Sequence, residues 1–280
     1  MIALELDRVS REFLTPEGKT YRAIDNVSLG VSAGSFVALV GPSGCGKSTL
    51  LNLAAGLLVP SSGRVRAEGE ELIGLNRRAT YMFQQDALLP WKTVRENVAL
   101  GLTLAGQTRE RAHARADEWL TRVGLTPFAT HFPSQLSGGM RKRAAMAQNW
   151  IIDRPIVLMD EPFSALDVHT RQMMETELLT LWETAATEET TERSTAKPAE
   201  RAEKKTVVFV THDLEEAITL ADEVVVLSAG PSSRVVARHA VPLDRPRDLM
   251  ELRTSAVFVD LFRSIWAVLR QEVVRSQRRA

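Results

Sequence analysis

The chain has 280 residues, 44% hydrophobic and 25% charged, with 35 basic and 35 acidic side chains. Formal neutrality removes the global electrostatic case for a nucleic-acid partner. One cysteine excludes an intrachain disulfide, no run of about 18 apolar residues is present, and the stretch from Met1 to Glu5 has no basic start or apolar leader. The expectation is a soluble protein, or a peripheral one held at a membrane by partners.

Ile2, Leu4, Leu6 and Val9 alternate and predict a half-buried strand. Phe13 follows in polar surroundings, either as core or as a ring that stacks on a purine, with Tyr21 as the competitor. After a turn at Thr15-Pro16-Glu17-Gly18, Val27, Leu29 and Val31 predict a second alternating strand. Ala33-Gly34 turns the chain into a continuous apolar strand, Phe36 to Val40.

The next stretch, Gly41-Pro42-Ser43-Gly44-Cys45-Gly46-Lys47-Ser48-Thr49, fits G-x-x-x-x-G-K-[ST] and leads into a helical run from Leu50 to Leu57. Strand, glycine loop and helix together specify a phosphate cradle. Glycines let the backbone bend close to a ligand, successive N–H groups converge on phosphate oxygens, and the helix adds its positive end. Lys47 supplies a mobile charge for the outer phosphates and Ser48 a hydroxyl for Mg²⁺. Cys45 serves as a small side chain in a tight space.

Gly56 ends the helix, with Pro60 beyond it, and a short strand is expected around Val65. Gln84 closes the strand at Tyr81-Met82 and can reach a metal or water; the alternative is a polar residue at a domain junction. From about residue 86 to 150 the pattern is helical. Thr93 with Glu96 forms a capping box, and Ala112, Ala116, Trp119, Leu120 and Val123 share one face, so an inserted helical subdomain is predicted. The apolar patch at Leu88-Leu89-Pro90-Trp91 is either subdomain core or a surface for a partner's helix. Ser137-Gly138-Gly139 opens another helix with Ser137 as N-cap, a second anion site. Two such helix starts have an economical explanation: one holds phosphates from its own chain, the other caps a nucleotide held by a second chain.

Ile156 to Met159 is a buried strand that ends in Asp160-Glu161, where one acid can reach Mg²⁺ and the next can polarise water. Asp167 is a helix N-cap by local signal, for a helix expected from about 168 to 183. Residues 184–205 lack any large apolar side chain and are expected as a solvated, disordered insertion. The strand at Val207 to Val210 delivers His212 beside the predicted site, where it can hydrogen-bond a terminal phosphate. A short helix, a strand at Val224 to Leu227 and a Gly230-Pro231 turn follow. A long helix with Val257, Phe258, Leu261, Phe262, Ile265, Trp266 and Leu269 closes the chain. Its basic end (Arg270, Arg275, Arg278, Arg279) leaves packing on its own domain, dimer contacts or membrane-surface binding as its uses.

Apolar strands alternating with helices give an α/β class with a mainly parallel sheet, and the early alternating strands add an antiparallel β portion. The expected organisation is one nucleotide-binding domain over 1–240, carrying the helical subdomain, and a helical extension over 241–280.

These motifs, in this order, resemble the ATP-binding subunit of an ABC transporter. The Walker A loop is 41–49, the Q-loop residue Gln84, the signature Leu136-Ser137-Gly138-Gly139-Met140, Walker B with its glutamate 156–162, the D-loop 164–167, and the switch histidine His212. The stretches around 83–102, 136–143 and 158–171 are similar to nitrate/sulfonate/taurine-type import ATPases. Lys142 stands where such proteins usually have Gln, Asn149-Trp150 replaces a more usual Arg-Ala type, and the polar 184–205 segment is atypical.

The resemblance implies ATP with Mg²⁺ as ligands, sandwiched head to tail between two ATPase subunits. It implies that Glu161 activates water, that Gln84 and His212 are catalytic partners, that Ser48, Asp160 and Gln84 serve the metal, and that Ser137, Gly138, Gly139 and Asp167 complete the nucleotide site. It also implies transmembrane permease subunits, a periplasmic or lipoprotein solute-binding protein as an indirect partner, no nucleic acid, and a place on the cytoplasmic face of the membrane. The alternatives are a soluble ABC-type ATPase of DNA repair or translation, or an exporter ATPase. A single phosphate loop, a single signature and no long heptad run count against the soluble alternative.

Overall fold

A computed structural model describes residues 1–164, 166–192 and 204–278. Ile2–Leu14 (β1) pairs antiparallel with Thr20–Ser32 (β2). Phe36–Val40 (β3) leads through the glycine loop into Lys47–Ala54 (α1). Ser62–Ala67 (β4) returns to the other side of β1, and Glu70–Glu71 (β5) ends a four-stranded sheet of order β2-β1-β4-β5. The second sheet takes Ala79–Met82 (β6), Ile156–Asp160 (β7), Thr206–Val210 (β8), Glu223–Leu227 (β9) and Val235–Ala240 (β10). Its order is β10-β9-β3-β8-β7-β6, parallel throughout except for β10 at the edge.

The period-2 geometry of a strand explains why the central strands read as unbroken apolar runs. Phe36, Ala38 and Val40 face one core cluster, while Val37 and Leu39 face the other, so both faces of β3 are buried. Phe36 meets Phe209 and Trp182 edge to face, with centroids 5.4 and 5.6 Å apart.

The helical subdomain comprises Val94–Val98 (α2), Leu100–Leu104 (α3), Arg109–Arg122 (α4) and Gly138–Trp150 (α5). The Thr93/Glu96 capping box forms as expected. Ala112, Ala116, Trp119, Leu120 and Val123 are all buried. Fully buried Asn97 bonds the backbone of Leu89, Lys92 and Thr93, which pins the segment after Gln84 to α2.

Two elements depart from the sequence-based expectation. Val168–Glu192 (α6) runs on through the stretch expected as loop from residue 184; Ala185, Ala186, Glu188 and Glu189 are good helix formers, and extending an existing helix needs no new nucleus. The rest of that insertion, 193–203, lies outside the described residues. β10 was not anticipated, because Arg238 and His239 interrupt its apolar pattern. It sits on the sheet edge, where Arg238 pairs with Glu223 at 2.6 Å.

Leu214–Leu220 (α7), Leu249–Leu252 (α8) and Ala256–Gln277 (α9) complete the chain. Arg247 donates to the carbonyls of Thr219 and Ala221, and Arg245 to that of Leu220, so both cap the buried C-terminal end of α7. Burial brings the Arg247 guanidinium down to about 10. Phe258, Ile265 and Leu269 of α9 join the main core cluster.

Candidate nucleotide site

The glycine loop lies at the carboxyl end of β3. Gly46 has φ of 91°, and a Cβ there would come within 2.6 Å of the Ile24 side chain. A Cβ on Gly41 would meet the Cys45 sulfur at 2.7 Å. Both positions therefore require glycine on steric grounds. Cys45 is fully buried and burial raises its thiol pKa, so it acts as a space-filling neutral group. Lys47 Nζ donates to the Gly41 and Pro42 carbonyls at 2.9 and 3.1 Å, which keeps the ammonium inside the loop that it would serve.

Strand ends on both sides of β8 deliver the facing groups. Ser48 Oγ donates to Asp160 Oδ1 at 3.0 Å, and Tyr81 Oη donates to Asp160 Oδ2 at 3.4 Å. Burial, before any other cause, pushes the Asp160 carboxyl up, against the hydrogen bond from Ser48. Burial and the Asp160 charge push the Tyr81 hydroxyl up as well. Glu161 sits at φ 46°, a left-handed conformation for a non-glycine residue, and its N–H is held by the Val210 carbonyl at 3.0 Å. Its carboxylate accepts from Gln84 Nε2 at 3.1 Å and lies 3.4 Å from His212 Nδ1. Gln84, Asp160, Glu161, Lys47, Ser48 and His212 thus converge from four separate stretches of sequence.

Behind His212 is a polar scaffold that sequence reasoning missed. Arg171 donates to Asp213 at 2.9 Å and to the Leu166 carbonyl at 3.4 Å, joining the residues flanking His212 to the loop before α6. Thr211 accepts from the Asp213 N–H and donates to buried Glu216 at 2.6 Å. Tyr81 could have been suspected from its place one residue before the strand end. Arg171 carries no sequence signal, since the carboxylate it pairs with, Asp213, lies 42 residues away.

Ser137, Gly138 and Gly139 stand apart from this cluster. Ser137 caps α5 by accepting from the Met140 N–H, and a Cβ on Gly139 would meet Thr170 at 2.7 Å. Among the described residues no hydrogen bond joins them to the Gly41–Thr49 loop. Asp167 accepts from the Thr170 N–H and hydroxyl at 3.0 and 2.6 Å, which holds its carboxyl below the usual range. Phe13 pairs across the hairpin with Tyr21, and Arg11 stacks 4.7 Å from the Phe13 ring centroid. A Cβ on Gly230 would lie 3.8 Å from the Tyr21 hydroxyl and 3.2 Å from the Gly44 carbonyl, so the Tyr21 hydroxyl lies near the phosphate loop.

Leu88 is buried, whereas Trp91 is 70% exposed, so the patch expected there divides between core and surface. A groove of about 540 Å³ opens between β6 and the helices α3 and α5, lined by Ala79, Phe83, Ala87, Leu104 and Ile152 among others. Among the described residues no helix is long and apolar enough to cross a membrane.

Comparison with known proteins agrees with this geometry. Residues 24–164 match the ABC transporter family model. A taurine import ATP-binding protein, TauB of Rhizobium johnstonii, is 41% identical over 95% of this chain and 96% of its own length. A nitrate import ATP-binding protein, NrtD of Synechococcus elongatus, is 39% identical over 88% of this chain and 83% of its own. A dimeric ATP-binding cassette solved in a post-hydrolysis state with ADP and Pi superposes with a TM-score of 0.70 at 31% identity, covering 86% of this chain and all of the other. With the phosphate loop, the convergent acids and His212 in place, the chain belongs to the ABC transporter ATP-binding family and is an ATP-hydrolysing subunit.

Proposed function

We propose that two copies of this chain close head to tail over two ATP molecules and use the hydrolysis cycle to energise a membrane importer for a small nitrate-, sulfonate- or taurine-like solute. The observation that carries the reading is the division of the site: Glu161 touches Gln84 and His212 beside the Ser48–Asp160 pair, while Ser137-Gly138-Gly139 stands apart as an open helix start.

In this reading the backbone of Gly41 to Thr49 cradles the phosphates and Lys47 leaves its carbonyl partners for the outer phosphate oxygens. Phe13, backed by Arg11, stacks on the purine ring. Glu161 takes a proton from a water positioned with Gln84; the water oxygen bonds to the γ-phosphorus as the bond to the ADP oxygen breaks, releasing ADP and phosphate. His212 donates to the γ-phosphate oxygens as charge develops there. The Ser48 hydroxyl and the Asp160 carboxylate already converge at 3.0 Å, an all-oxygen pair that suits a hard cation completed by phosphate oxygens. Ser48, Asp160 and Gln84 would hold Mg²⁺, which would supply charge neutralisation when bound. Ser137, Gly138, Gly139 and Asp167 of one copy complete the nucleotide site of the other.

The similarity to TauB and NrtD supports import and the class of solute. Exposed Phe83, which lines the groove at β6, and exposed Trp91 offer the surface for a cytoplasmic helix of the permease subunits. A solute-binding protein then acts only through those subunits, and the chain works on the cytoplasmic face of the membrane.

A shared site makes turnover depend on encounter. ATPase activity per chain, measured at saturating ATP over a wide dilution series, is expected to fall as the protein is diluted. Activity that stays flat over the whole series would overturn the two-chain arrangement.

A further inference from the structure

The departure at Lys142 has a structural counterpart. Lys142 lies on α5 one turn beyond Ser137, with its side chain only 6% exposed. Its Nζ donates to the Gln84 carbonyl at 2.5 Å and sits 3.2 Å from Asp86 Oδ1. Asp86 Oδ2 accepts from Arg141 Nε at 3.3 Å, and Arg141 Nη1 donates to the carbonyl of Leu136 at 2.8 Å, immediately before Ser137. With Gln84 Nε2 on Glu161, an unbroken polar path runs from the hydrolytic carboxylate to the signature: Glu161, Gln84, Lys142 with Asp86, Arg141, Leu136.

Two cations near the start of a helix oppose its dipole, and a buried ammonium carries a desolvation cost. Asp86 and the Gln84 carbonyl offset both. Neither partner belongs to the helical bundle itself; both sit in the segment that leaves β6. The arrangement is therefore a clasp between two parts of the molecule rather than a stabiliser of one.

We infer that Lys142, with Asp86, is a positioning residue that fastens the Gln84 loop to the signature helix, so that a chain's own nucleotide site sets the angle at which its Ser137–Gly139 face meets the partner's nucleotide. The inference rests on the two-chain reading above. The backbone carbonyl of Gln84, not its side chain, takes the load, so the Gln84 amide stays free to follow Glu161 while its main chain moves with α5.

The test uses the full chain and three variants: Lys142→Met, Asp86→Asn and the double variant. Two quantities are read: the affinity of the dilute protein for a fluorescent ADP analogue, and the protein concentration giving half-maximal ATPase per chain. A clasp leaves the first within about twofold and raises the second about tenfold in Lys142→Met, the size expected for losing hydrogen bonds to a charged group. The double variant adds less than about twofold to the single ones, because the two residues act as one unit. If Lys142→Met does not fold, Asp86→Asn, which changes a loop residue, still carries the comparison. Wild-type values in both readouts would overturn the clasp, as would a parallel loss of ADP affinity, which marks a structural role alone. A wild-type protein whose activity is flat on dilution would fail the two-chain reading first, and the clasp with it.

Discussion

The chain has two glycine-rich helix starts, and they differ in their surroundings. The start of α1 is ringed by side chains from distant strands: Asp160 and Tyr81, Glu161 with Gln84 and His212, and Lys47 folded back on the loop. The start of α5 has its own N-cap, Ser137, and behind it the Arg141–Asp86–Lys142 cluster; among the described residues no hydrogen bond or ion pair joins an acid or histidine to Ser137, Gly138 or Gly139. Both ends offer backbone N–H groups and a positive dipole, and so both favour anions. The first alone of the two is ringed, among the described residues, by a carboxylate in contact with a histidine, Glu161 with His212. On the two-chain reading proposed above, the difference separates chemistry from closure: one end would hold and cleave the nucleotide, and the other would seal the cleft.

The largest expected effect is on the chemical side. Glu161→Gln keeps the shape and the hydrogen-bonding capacity toward Gln84 while removing the base. Turnover at saturating ATP should fall about 10²–10⁴-fold, with nucleotide affinity retained. Steady-state ATPase assays and ATP binding to the same preparation read both. A variant that hydrolyses at the wild-type rate would remove Glu161 from the mechanism and blur the contrast between the two ends.

A second difference is buried charge. Beneath the switch residues, Glu175 is fully buried and pairs with Arg253 at 2.9 Å, with Glu216, Asp213 and Arg171 close by. Burial moves the Glu175 carboxyl from 4.5 up to about 7. Between those values the folded state holds a proton that the unfolded state has lost. Stability should therefore be highest at the acidic end of that window, fall as pH rises from about 4.5 to 7, and level off above it, a span of up to about 3 kcal/mol. Burial also raises Glu216, which acts in the same direction. Glu175→Gln should flatten its share of the slope in denaturant unfolding measured at pH 5, 6, 7 and 8. An unchanged slope would place the titration elsewhere.

The α1 end was legible in the sequence because its signals are local. The glycine spacing of 41–49, the acids after the apolar run at 156–159 and His212 after 207–210 each announce themselves within a few residues. The fold class follows from the same runs, since strands buried on both faces cannot alternate. What pairs those groups was hidden. Tyr81 with Asp160, Arg171 with Asp213 and Lys142 with the Gln84 carbonyl are contacts between residues roughly forty to eighty positions apart, and none has a periodicity. β10 escaped because an edge strand needs no apolar alternation. The run of α6 through Glu192 escaped because polar composition reports the lack of a core, while helix propensity lies in the Ala and Glu content of the same residues.

The smallest expected effect isolates the α5 end. Ser137→Gly removes the hydroxyl but keeps a tolerable N-cap, at a cost of a few tenths of a kcal/mol, whereas Ser137→Ala also loses the cap, about 1 kcal/mol. If Ser137 serves only its helix, the alanine variant should be the worse of the two in thermal unfolding and in activity alike. If its hydroxyl meets the partner's nucleotide, the glycine variant should unfold near the wild-type temperature yet show ATPase lowered about tenfold, the worth of one hydrogen bond to a charged group. ADP affinity in dilute protein should be untouched in both, because that reading belongs to the α1 end alone. Ranking the two variants by unfolding temperature and again by turnover therefore decides whether the second helix start is a closing surface or a well-capped helix: matching orders argue for the cap, inverted or equal activities for the seal.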